Sequence, residues 1–190
     1  MEGLLAEGTM LIGLTGRNAS GKSTVVSWFA EKGLVTESCS DSIREYLRKE
    51  GIDESREALI EGGRELRRQG GAGILASMLL ERLNGKDAVI DSIRTPGEVE
   101  ALRSREDFVL IEIKASMEAR WERAKLRARV GDSIDRETFF AQERSEIKAK
   151  DDAGQALDAT AALADLVLIN DGSIDQLNYD LKELYNVLND

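Results

Sequence analysis

A glycine-rich stretch near the start of the chain, Gly16 to Ser23, has the spacing of a phosphate-binding loop. It spells G-x-x-x-x-G-K-S. Glycine at the first and sixth positions allows backbone angles that a side chain would forbid, so successive N–H groups can turn towards a phosphate. In this pattern Lys22 can reach the β- and γ-phosphates of a nucleotide, and the Ser23 hydroxyl can bind Mg²⁺. The pattern therefore predicts a site for nucleotide phosphates.

The residues on either side give this loop the context that the motif requires. The apolar run Met10 to Leu14 is typical of a buried strand, and Thr24 to Phe29 indicates a buried first helix. The start of that helix, near Lys22, adds unpaired N–H groups and the positive end of its dipole. The alternative is a strand–turn–helix whose glycines serve only tight packing. The residues predicted to hold the nucleotide are Gly16, Arg17, Asn18, Ala19, Ser20, Gly21, Lys22, Ser23 and Thr24.

A second group of polar residues follows the next predicted strand, Leu34 to Glu37. Ser40 or Asp41 is predicted to cap the helix after this strand, and Arg44 stands one turn further on. Ligands of open α/β sheets bind at the carboxyl ends of the strands, so these side chains are candidates for binding a second substrate. The alternatives are that Asp41 is only a cap and that Arg44 is a solvated helix charge.

The third predicted strand, Asp87 to Asp91, ends in a carboxylate and resembles a Walker B segment. Asp91 at the strand end can hold a Mg²⁺-bound water near Ser23. Arg94 follows three residues later, and Thr95 is predicted to cap a helix whose first residue is proline. The alternatives are an acid that merely ends a strand and an arginine that is merely exposed.

A helix is predicted to begin at Ser116, and one stretch of ten residues in it contains five cations. Arg120, Arg123 and Arg127 are spaced i, i+3, i+7 and therefore share one helix face. Guanidinium groups suit bidentate contact with phosphate and stacking on a base. The alternative is a surface on which these cations pair with glutamates of the same helix.

The order of the predicted elements defines the fold class. Strands alternate with helices, which predicts an α/β protein, a three-layer αβα sandwich with a mainly parallel five-stranded sheet. The strands are predicted at residues 10–14, 34–37, 87–91, 108–113 and 166–169. A sharp turn at Asn170-Asp171-Gly172 follows the fifth strand, and Ser173 is predicted to cap the final helix.

The chain is expected to form a single domain, 1–190, because this length supports one sizeable core. Helices inserted at about 41–84, between the second and third strands, suggest a cap over an acceptor site. Residues 128–150 suggest a small lid, with Gly131 as its hinge.

The overall composition excludes several functions. A formal net charge of −10 argues against nucleic acid as a partner, because such binding displaces counterions with Lys and Arg. The chain has no histidine, which excludes a histidine general base or metal ligand. A single cysteine, Cys39, excludes an internal disulfide and fits a cytoplasmic protein. The acidic start of the chain predicts no signal peptide, and no apolar run approaches the roughly 20 residues that span a bilayer.

Together these residues resemble the nucleoside monophosphate kinase branch of the P-loop kinases. The resemblance covers nearly the whole chain after the first nine residues. The segments that carry it are GRNASGKST, Ser40-Asp41 with Arg44, VIDSIRTPGEVE, the Arg123/Arg127 helix and INDGS. The middle segments are similar to a group of bacterial and archaeal proteins often labelled dephospho-coenzyme A kinase or adenylate kinase-like.

The resemblance implies the P-loop NTP hydrolase fold of nucleotide kinases, with Mg²⁺ and ATP. Arg123 would stack on the donor's base, Arg127 would contact the transferring phosphoryl group, and Arg44 and Arg94 would bind the acceptor's phosphate. By position, the implied catalytic residues are Lys22, Asp41, Arg94, Arg123 and Arg127; the acceptor-binding residues are Ser40, Asp41, Arg44 and Arg94; the residues beside the adenine are Asn170 and Gly172; and the Mg²⁺ residues are Ser23 and Asp91.

Three functions remain open at this point. The first is ATP-dependent phosphorylation of a nucleoside or deoxynucleoside monophosphate. The second is a dephospho-coenzyme A kinase, in which the acceptor is a ribose hydroxyl and Asp41 acts as the base. Those kinases carry Asp-Ala-Asp where this chain has Cys39-Ser40-Asp41, and adenylate kinases carry Gly-Phe-Pro-Arg where it has Ser92-Ile93-Arg94. The third is a nucleotide-binding regulator or weak ATPase, and both a monomer and a homodimer remain open.

Overall fold

A sheet of five parallel strands lies at the centre of the fold. The computed structural model describes residues 10–127, 135–147 and 156–189. The strands are β1 (Leu11–Thr15), β2 (Val35–Ser38), β3 (Ala88–Asp91), β4 (Phe108–Lys114) and β5 (Leu166–Ile169). Their order across the sheet is β2-β3-β1-β4-β5, and each neighbouring pair is parallel. The predicted α/β class and five-stranded sheet are confirmed, and the sheet is parallel throughout.

Helices connect these strands, as parallel pairing requires. In chain order the helices of the described residues are α1 (Lys22–Glu31), α2 (Cys39–Glu50), α3 (Arg56–Gly70), α4 (Ile74–Leu83), α5 (Pro96–Leu102), α6 (Met117–Arg127), α7 (Arg136–Ile147), α8 (Leu157–Ala161) and α9 (Ile174–Asn189). None of them has the length and apolar character that crossing a membrane demands.

Alternate side chains of the strands enter two separate hydrophobic cores. In β1, Leu11 packs with side chains of helices α2 to α5, whereas Ile12 and Leu14 pack with α1 and α9. Strand β3 divides in the same way, with Ile90 in the first core and Val89 in the second. This period of two places helices on both faces of the sheet, which confirms the three-layer sandwich.

Two predicted helix starts agree with the structure. Thr95 caps α5 in a complete capping box, with proline as the first helical residue. Ser173 stands before α9, and its hydroxyl accepts a hydrogen bond from the Gln176 N–H at 3.2 Å. Both caps could be predicted because their signals are local.

The predicted cap of α2 is wrong. The helix begins at Cys39, and its cap is Ser38 rather than Ser40 or Asp41. The Ser38 hydroxyl accepts a hydrogen bond from the Ser40 N–H at 3.3 Å. Because β2 extends to Ser38, the strand runs directly into the helix, and Asp41 lies in the first turn with its side chain exposed.

The predicted lid is described only in part. Helix α7 belongs to the range 128–150, whereas the predicted hinge, Gly131, lies outside the described residues.

Candidate functional site

The loop between β1 and α1 has the backbone of an anion cradle. Three residues have left-handed angles, with φ of 136° at Gly16, 60° at Ala19 and 103° at Gly21. A Cβ at Gly16 would lie 2.4 Å from the Ile113 carbonyl oxygen, and one at Gly21 would lie 2.2 Å from Asn170 Nδ2. Glycine is therefore required at both positions by conformation and by space.

Helix α1 begins inside this loop without a side-chain cap. Its N-cap is Gly21, and no side chain of the described residues caps its first turn. The first helical residue is Lys22, whose ammonium donates to the carbonyl oxygens of Gly16 at 2.7 Å and Arg17 at 3.1 Å. An uncapped helix N-terminus beside a lysine favours a bound anion.

The arginine face of α6 lies against the same loop. Arg120 approaches the Asn18 carbonyl oxygen at 3.5 Å, and Arg127 donates to Asn18 Oδ1 at 3.2 Å. Arg123 donates to the carbonyl oxygens of Ser20 at 3.4 Å and Asn170 at 2.8 Å. The predicted shared face is therefore present, and all three guanidinium groups contact the loop.

The glutamates of α6 contact other cations. Glu118 pairs with Arg136 of α7, and Glu122 pairs with Lys125 at 2.7 Å. The face of α6 towards the loop is thus lined by arginines.

The turn after β5 fixes the other side of the loop. The Asn170 amide donates to the Ser20 carbonyl oxygen at 2.9 Å, and its own backbone N–H donates to the Lys114 carbonyl oxygen at 2.7 Å. Asp171 accepts a hydrogen bond from the Ser116 N–H at 2.7 Å, and this bond lowers the pKa of Asp171. Gly172 follows on the exposed surface.

One ion pair at this end was missed by sequence reasoning. Arg120 is 2% exposed and forms a two-pronged contact with the buried carboxylate of Glu143, on α7. Arg17 of the loop donates to the same carboxylate at 3.1 Å and to Asp158 of α8 at 3.1 Å. Because Glu143 joins Arg120 and Arg17, it ties α7 to the phosphate-binding loop.

The predicted carboxylate, Asp91, is the last residue of β3, and a strained turn follows it. Ser92 has φ of 63°, and its N–H donates to Asp91 Oδ1 at 2.6 Å. A serine in the left-handed region is uncommon and costs conformational energy, and such residues cluster at functional sites. Thr15 of β1 donates to the Ile93 carbonyl oxygen at 3.1 Å, which holds this turn beside the start of the loop.

The start of α2 supplies three further predicted residues. Arg44 donates to Glu54 at 2.7 Å, and its Nε lies 3.8 Å from Asp41 Oδ1. Ser40 Oγ lies 2.8 Å from the Ser38 hydroxyl. The neighbouring Cys39 is buried, and burial raises the pKa of its thiol well above the ordinary value. A neutral thiol is a poor nucleophile, so Cys39 forms part of the wall.

A second buried ion pair, also missed, lies beside the β3–α5 turn. Glu98 is fully buried and accepts a hydrogen bond from Arg67 of α3 at 2.7 Å. The same carboxylate accepts from the backbone N–H of Arg94 at 2.8 Å and of Thr95 at 3.2 Å. The spacing of Thr95 and Glu98 signals the capping box, but nothing in the sequence identifies Arg67 as the counterion.

One cavity of about 620 Å³ connects these parts. It extends from the phosphate-binding loop to the arginines of the β3–α5 turn and the inserted helices. The predicted site residues that line it are Asn18, Ala19, Ser20, Gly21, Lys22, Ser23, Ser40, Asp41, Arg44, Asp91, Arg94 and Arg127. Arg67 and Glu54 also line it.

The remaining predicted residues lie around this cavity without lining it. Gly16 and Arg17 line a second cavity of about 500 Å³, on the side of β4 and α8. Arg123 and Asn170 contact each other behind the loop, and Thr24 is exposed on α1.

The donor groups in the cavity fit Mg²⁺ carried by a nucleotide. The Ser23 hydroxyl and the Asp91 carboxylate both line the cavity and offer oxygen atoms of the kind that Mg²⁺ binds. Magnesium keeps several waters and takes phosphate oxygens, so it needs only one or two protein ligands. In the described parts of the chain, no group of three or more Cys, Asp or Glu residues forms a metal cage of its own.

The fold and the loop are those of a P-loop protein. A UPF0200 protein of Pyrococcus abyssi is 30% identical over 181 residues, which cover 91% of this chain and 94% of the relative. The chain belongs to the UPF0200 family, although no family model matches it.

Solved kinases share the fold at low identity. Shikimate kinase of Bacteroides thetaiotaomicron superposes with a TM-score of 0.64 at 15% identity, over 94% of this chain and 98% of that one. The APS kinase of Mycobacterium tuberculosis, solved with AMPPNP and APS, gives 0.52 at 17% identity, over 97% and 100%. These likenesses show that the chain has the fold of P-loop kinases.

Proposed function

We propose that the protein is an ATP-dependent phosphotransferase that moves the γ-phosphate of ATP to a small phosphate-bearing acceptor, in the first place a nucleoside or deoxynucleoside monophosphate. The supporting observation is the continuity of the 620 Å³ cavity, which joins the phosphate-binding loop to Arg44, Arg67 and Arg94. A protein that only binds or hydrolyses ATP has no need of a second cationic group at the far end of its nucleotide site.

The donor's triphosphate lies, in this proposal, on the N–H groups of the loop and the start of α1. Lys22 leaves its two carbonyl partners and binds the β- and γ-phosphates. Arg127 neutralises charge on the moving phosphoryl group, and Arg123 and Asn170 border the base.

Ser23 and Asp91 would hold the Mg²⁺ that accompanies ATP, Ser23 through its hydroxyl and Asp91 by way of bound water. The metal would supply neutralisation of the negative charge on the nucleotide's phosphates. The catalytic contribution of the protein is otherwise orientation and electrostatic stabilisation, which a chain without histidine can provide.

The acceptor's phosphate binds Arg44 and Arg94, which directs one of its oxygens at the γ-phosphorus. The new P–O bond forms as the bond to the β-phosphate oxygen breaks, and ADP leaves. Helices of the range 41–84 cover the acceptor, and helix α7, which lies within the predicted lid, closes over the donor and excludes water. The chain 1–190 acts as one domain, in the cytoplasm, as a monomer or homodimer and without nucleic acid or a membrane.

The test is an ADP-release assay over a panel of ribo- and deoxyribonucleoside monophosphates with MgATP. Arg94→Met is expected to lose at least about tenfold in transfer while keeping ATP affinity, since a phosphate contact is removed only from the acceptor. Glu100→Gln, a change at an exposed position of the following helix α5, serves as the control and should leave transfer unchanged. Failure of the unsubstituted chain to phosphorylate any monophosphate contradicts the proposal.

Dephospho-coenzyme A kinase is the second candidate, because Asp41 lines the cavity with an exposed carboxylate. A ribose hydroxyl needs a general base, whereas a phosphate oxygen does not. Asp41→Asn should then abolish transfer to dephospho-coenzyme A. In a monophosphate kinase the same change should leave kcat within about tenfold.

A nucleotide-binding regulator or weak ATPase is the third candidate. Its signature is ATP hydrolysis that no acceptor accelerates and that Arg94→Met leaves unchanged. The measurement that decides is the ratio of ADP released with and without the acceptor panel.

A further inference from the structure

The buried ion pair between Glu98 and Arg67 lies where the acceptor's phosphate is proposed to bind. Arg67 comes from α3 and lines the cavity, yet its side chain is only 4% exposed. Glu98 comes from α5 and is 0% exposed. A buried carboxylate is costly unless it is paired and hydrogen-bonded, so this arrangement requires both residues.

Both oxygens of the Glu98 carboxylate have defined partners. One oxygen accepts from the Arg67 guanidinium at 2.7 Å. The other accepts from the Arg94 N–H at 2.8 Å and the Thr95 N–H at 3.2 Å. A single side chain therefore fixes the position of the Arg67 guanidinium and of the main chain at Arg94.

The surrounding backbone allows little adjustment. A Cβ at Gly97 would lie 2.5 Å from Ala72 Cβ, and one at Gly73 would lie 2.6 Å from the Gly97 carbonyl oxygen. The Arg94 carbonyl oxygen accepts a hydrogen bond from the Ala156 N–H at 2.9 Å. The start of α5 is thus packed against the α3–α4 connection, and the Arg94 main chain is fixed from both sides.

We propose that Glu98 is a positioning residue of the acceptor site, which holds Arg67 and Arg94 as one rigid pair facing the acceptor's phosphate. This inference rests on the proposed function and adds Arg67 as a phosphate ligand. Glu98 itself stays behind the arginines and contacts no substrate. An ordinary capping glutamate stabilises only its helix, whereas Glu98 sets the geometry of substrate binding.

The first test replaces the carboxylate by its amide. Glu98→Gln has a single acceptor oxygen: if that oxygen keeps the two backbone N–H groups, the amide NH₂ faces Arg67, and if it faces Arg67, the two backbone N–H groups lose their acceptor. We expect the KM for the acceptor to rise about tenfold or more, with the KM for ATP within about twofold, because misplacement affects only the acceptor end. Glu100→Gln, an exposed change on the same helix, is the control and should change neither constant.

The second test separates positioning from stability. Glu98→Gln combined with Arg67→Met removes both charges, so the thermal midpoint should recover relative to Glu98→Gln alone. The acceptor KM should stay raised, because the phosphate ligand is lost. An acceptor KM that recovers together with the thermal midpoint would show a purely structural pair and overturn the inference. The double variant also provides a folded protein should Glu98→Gln alone fail to fold.

A binding measurement distinguishes failure of this inference from failure of the proposed function. In a chain with Lys22→Ala, which weakens the loop as a competing anion site, inorganic phosphate should raise the thermal midpoint. The added change Glu98→Gln should remove that increase. Equal increases with and without Glu98→Gln, or none in either chain, overturn the inference whether or not a kinase reaction is found.

Discussion

In the proposed function, the two ends of the cavity bind anions by different means. At the donor end the binding groups are backbone N–H groups of consecutive residues, shaped by Gly16 and Gly21. At the acceptor end they are side chains from separate elements, Arg44, Arg67 and Arg94. The donor end is therefore a local structure, whereas the acceptor end exists only once helices α2, α3 and α5 have packed together.

Each end also contains a buried arginine–glutamate pair, and the two pairs differ in what they join. Arg67 and Glu98 connect the inserted helices to the β3–α5 turn within closely packed backbone. Arg120 and Glu143 connect α6 to α7, which belongs to the proposed lid. This difference predicts a rigid acceptor end and a donor end that depends on the placement of α7.

The largest expected effect on ligand binding follows Gly21→Ala. The new Cβ would lie 2.2 Å from Asn170 Nδ2, at a residue with φ of 103°. We expect ATP affinity to fall about a hundredfold or more, because the N–H groups at the start of α1 lose their orientation. Calorimetry with MgATP measures this affinity.

Gly33→Ala is the matched control for that change. Gly33 has φ of 95° but nothing within 4 Å of a new Cβ. It should cost about 1–2 kcal/mol of stability from backbone strain alone and leave ATP affinity unchanged. Equal ATP affinities of the two variants would contradict a donor end built from main-chain groups.

Arg120→Met, at the donor end, is expected to lower ATP affinity less than Gly21→Ala does. Breaking a buried pair by removing one partner costs about 3–5 kcal/mol, and because Glu143 keeps the partly exposed Arg17 as a second counterion, the loss should lie towards the low end of that range. Denaturant unfolding should show this loss, and Arg120→Met combined with Glu143→Gln should recover most of it.

Arg120→Met should also change the kinetic constants at one end of the cavity only. We expect the KM for ATP to rise and the KM for the acceptor to stay constant, the reverse of Glu98→Gln. A rise of both constants in both variants would mean that the two ends of the cavity are not independent.

The sequence predicted the fold and the backbone of the loop well because their signals are local. Alternating strands and helices define the parallel sheet, and the shape of the eight-residue loop depends on consecutive backbone groups. The spacing of Arg120, Arg123 and Arg127 also predicted one shared face. It could not show that Arg120 is buried, because its partner Glu143 is 23 residues away in no recognisable pattern.

The acceptor end could be predicted only in part for the same reason. Arg94 and Asp91 follow a strand end, where binding residues are expected. Arg67 could not be given a partner from the sequence, because its counterion lies 31 residues along the chain. The misplaced cap of α2 has a local cause, since three serines, Ser38, Ser40 and Ser42, offer competing caps within five residues.

The smallest expected effect tests a contact in which a partly exposed carboxylate competes for an acceptor arginine. Glu54 accepts from Arg44 at 2.7 Å, and its side chain is 34% exposed. A partly exposed pair of this kind contributes about 0–1 kcal/mol, so Glu54→Gln should lower the acceptor KM by no more than about fivefold. Glu57→Gln, the same change at an exposed position of α3, is the control.

Salt dependence identifies the origin of this effect. Because solvent ions screen exposed charges, the difference between Glu54→Gln and the unsubstituted chain should shrink as salt is raised from about 0.1 M to about 1 M. The buried Glu98–Arg67 pair is shielded from those ions, so the effect of Glu98→Gln should persist at high salt. Identical salt dependence of the two variants would contradict the distinction between an exposed, competing carboxylate and a buried, positioning one at the acceptor end.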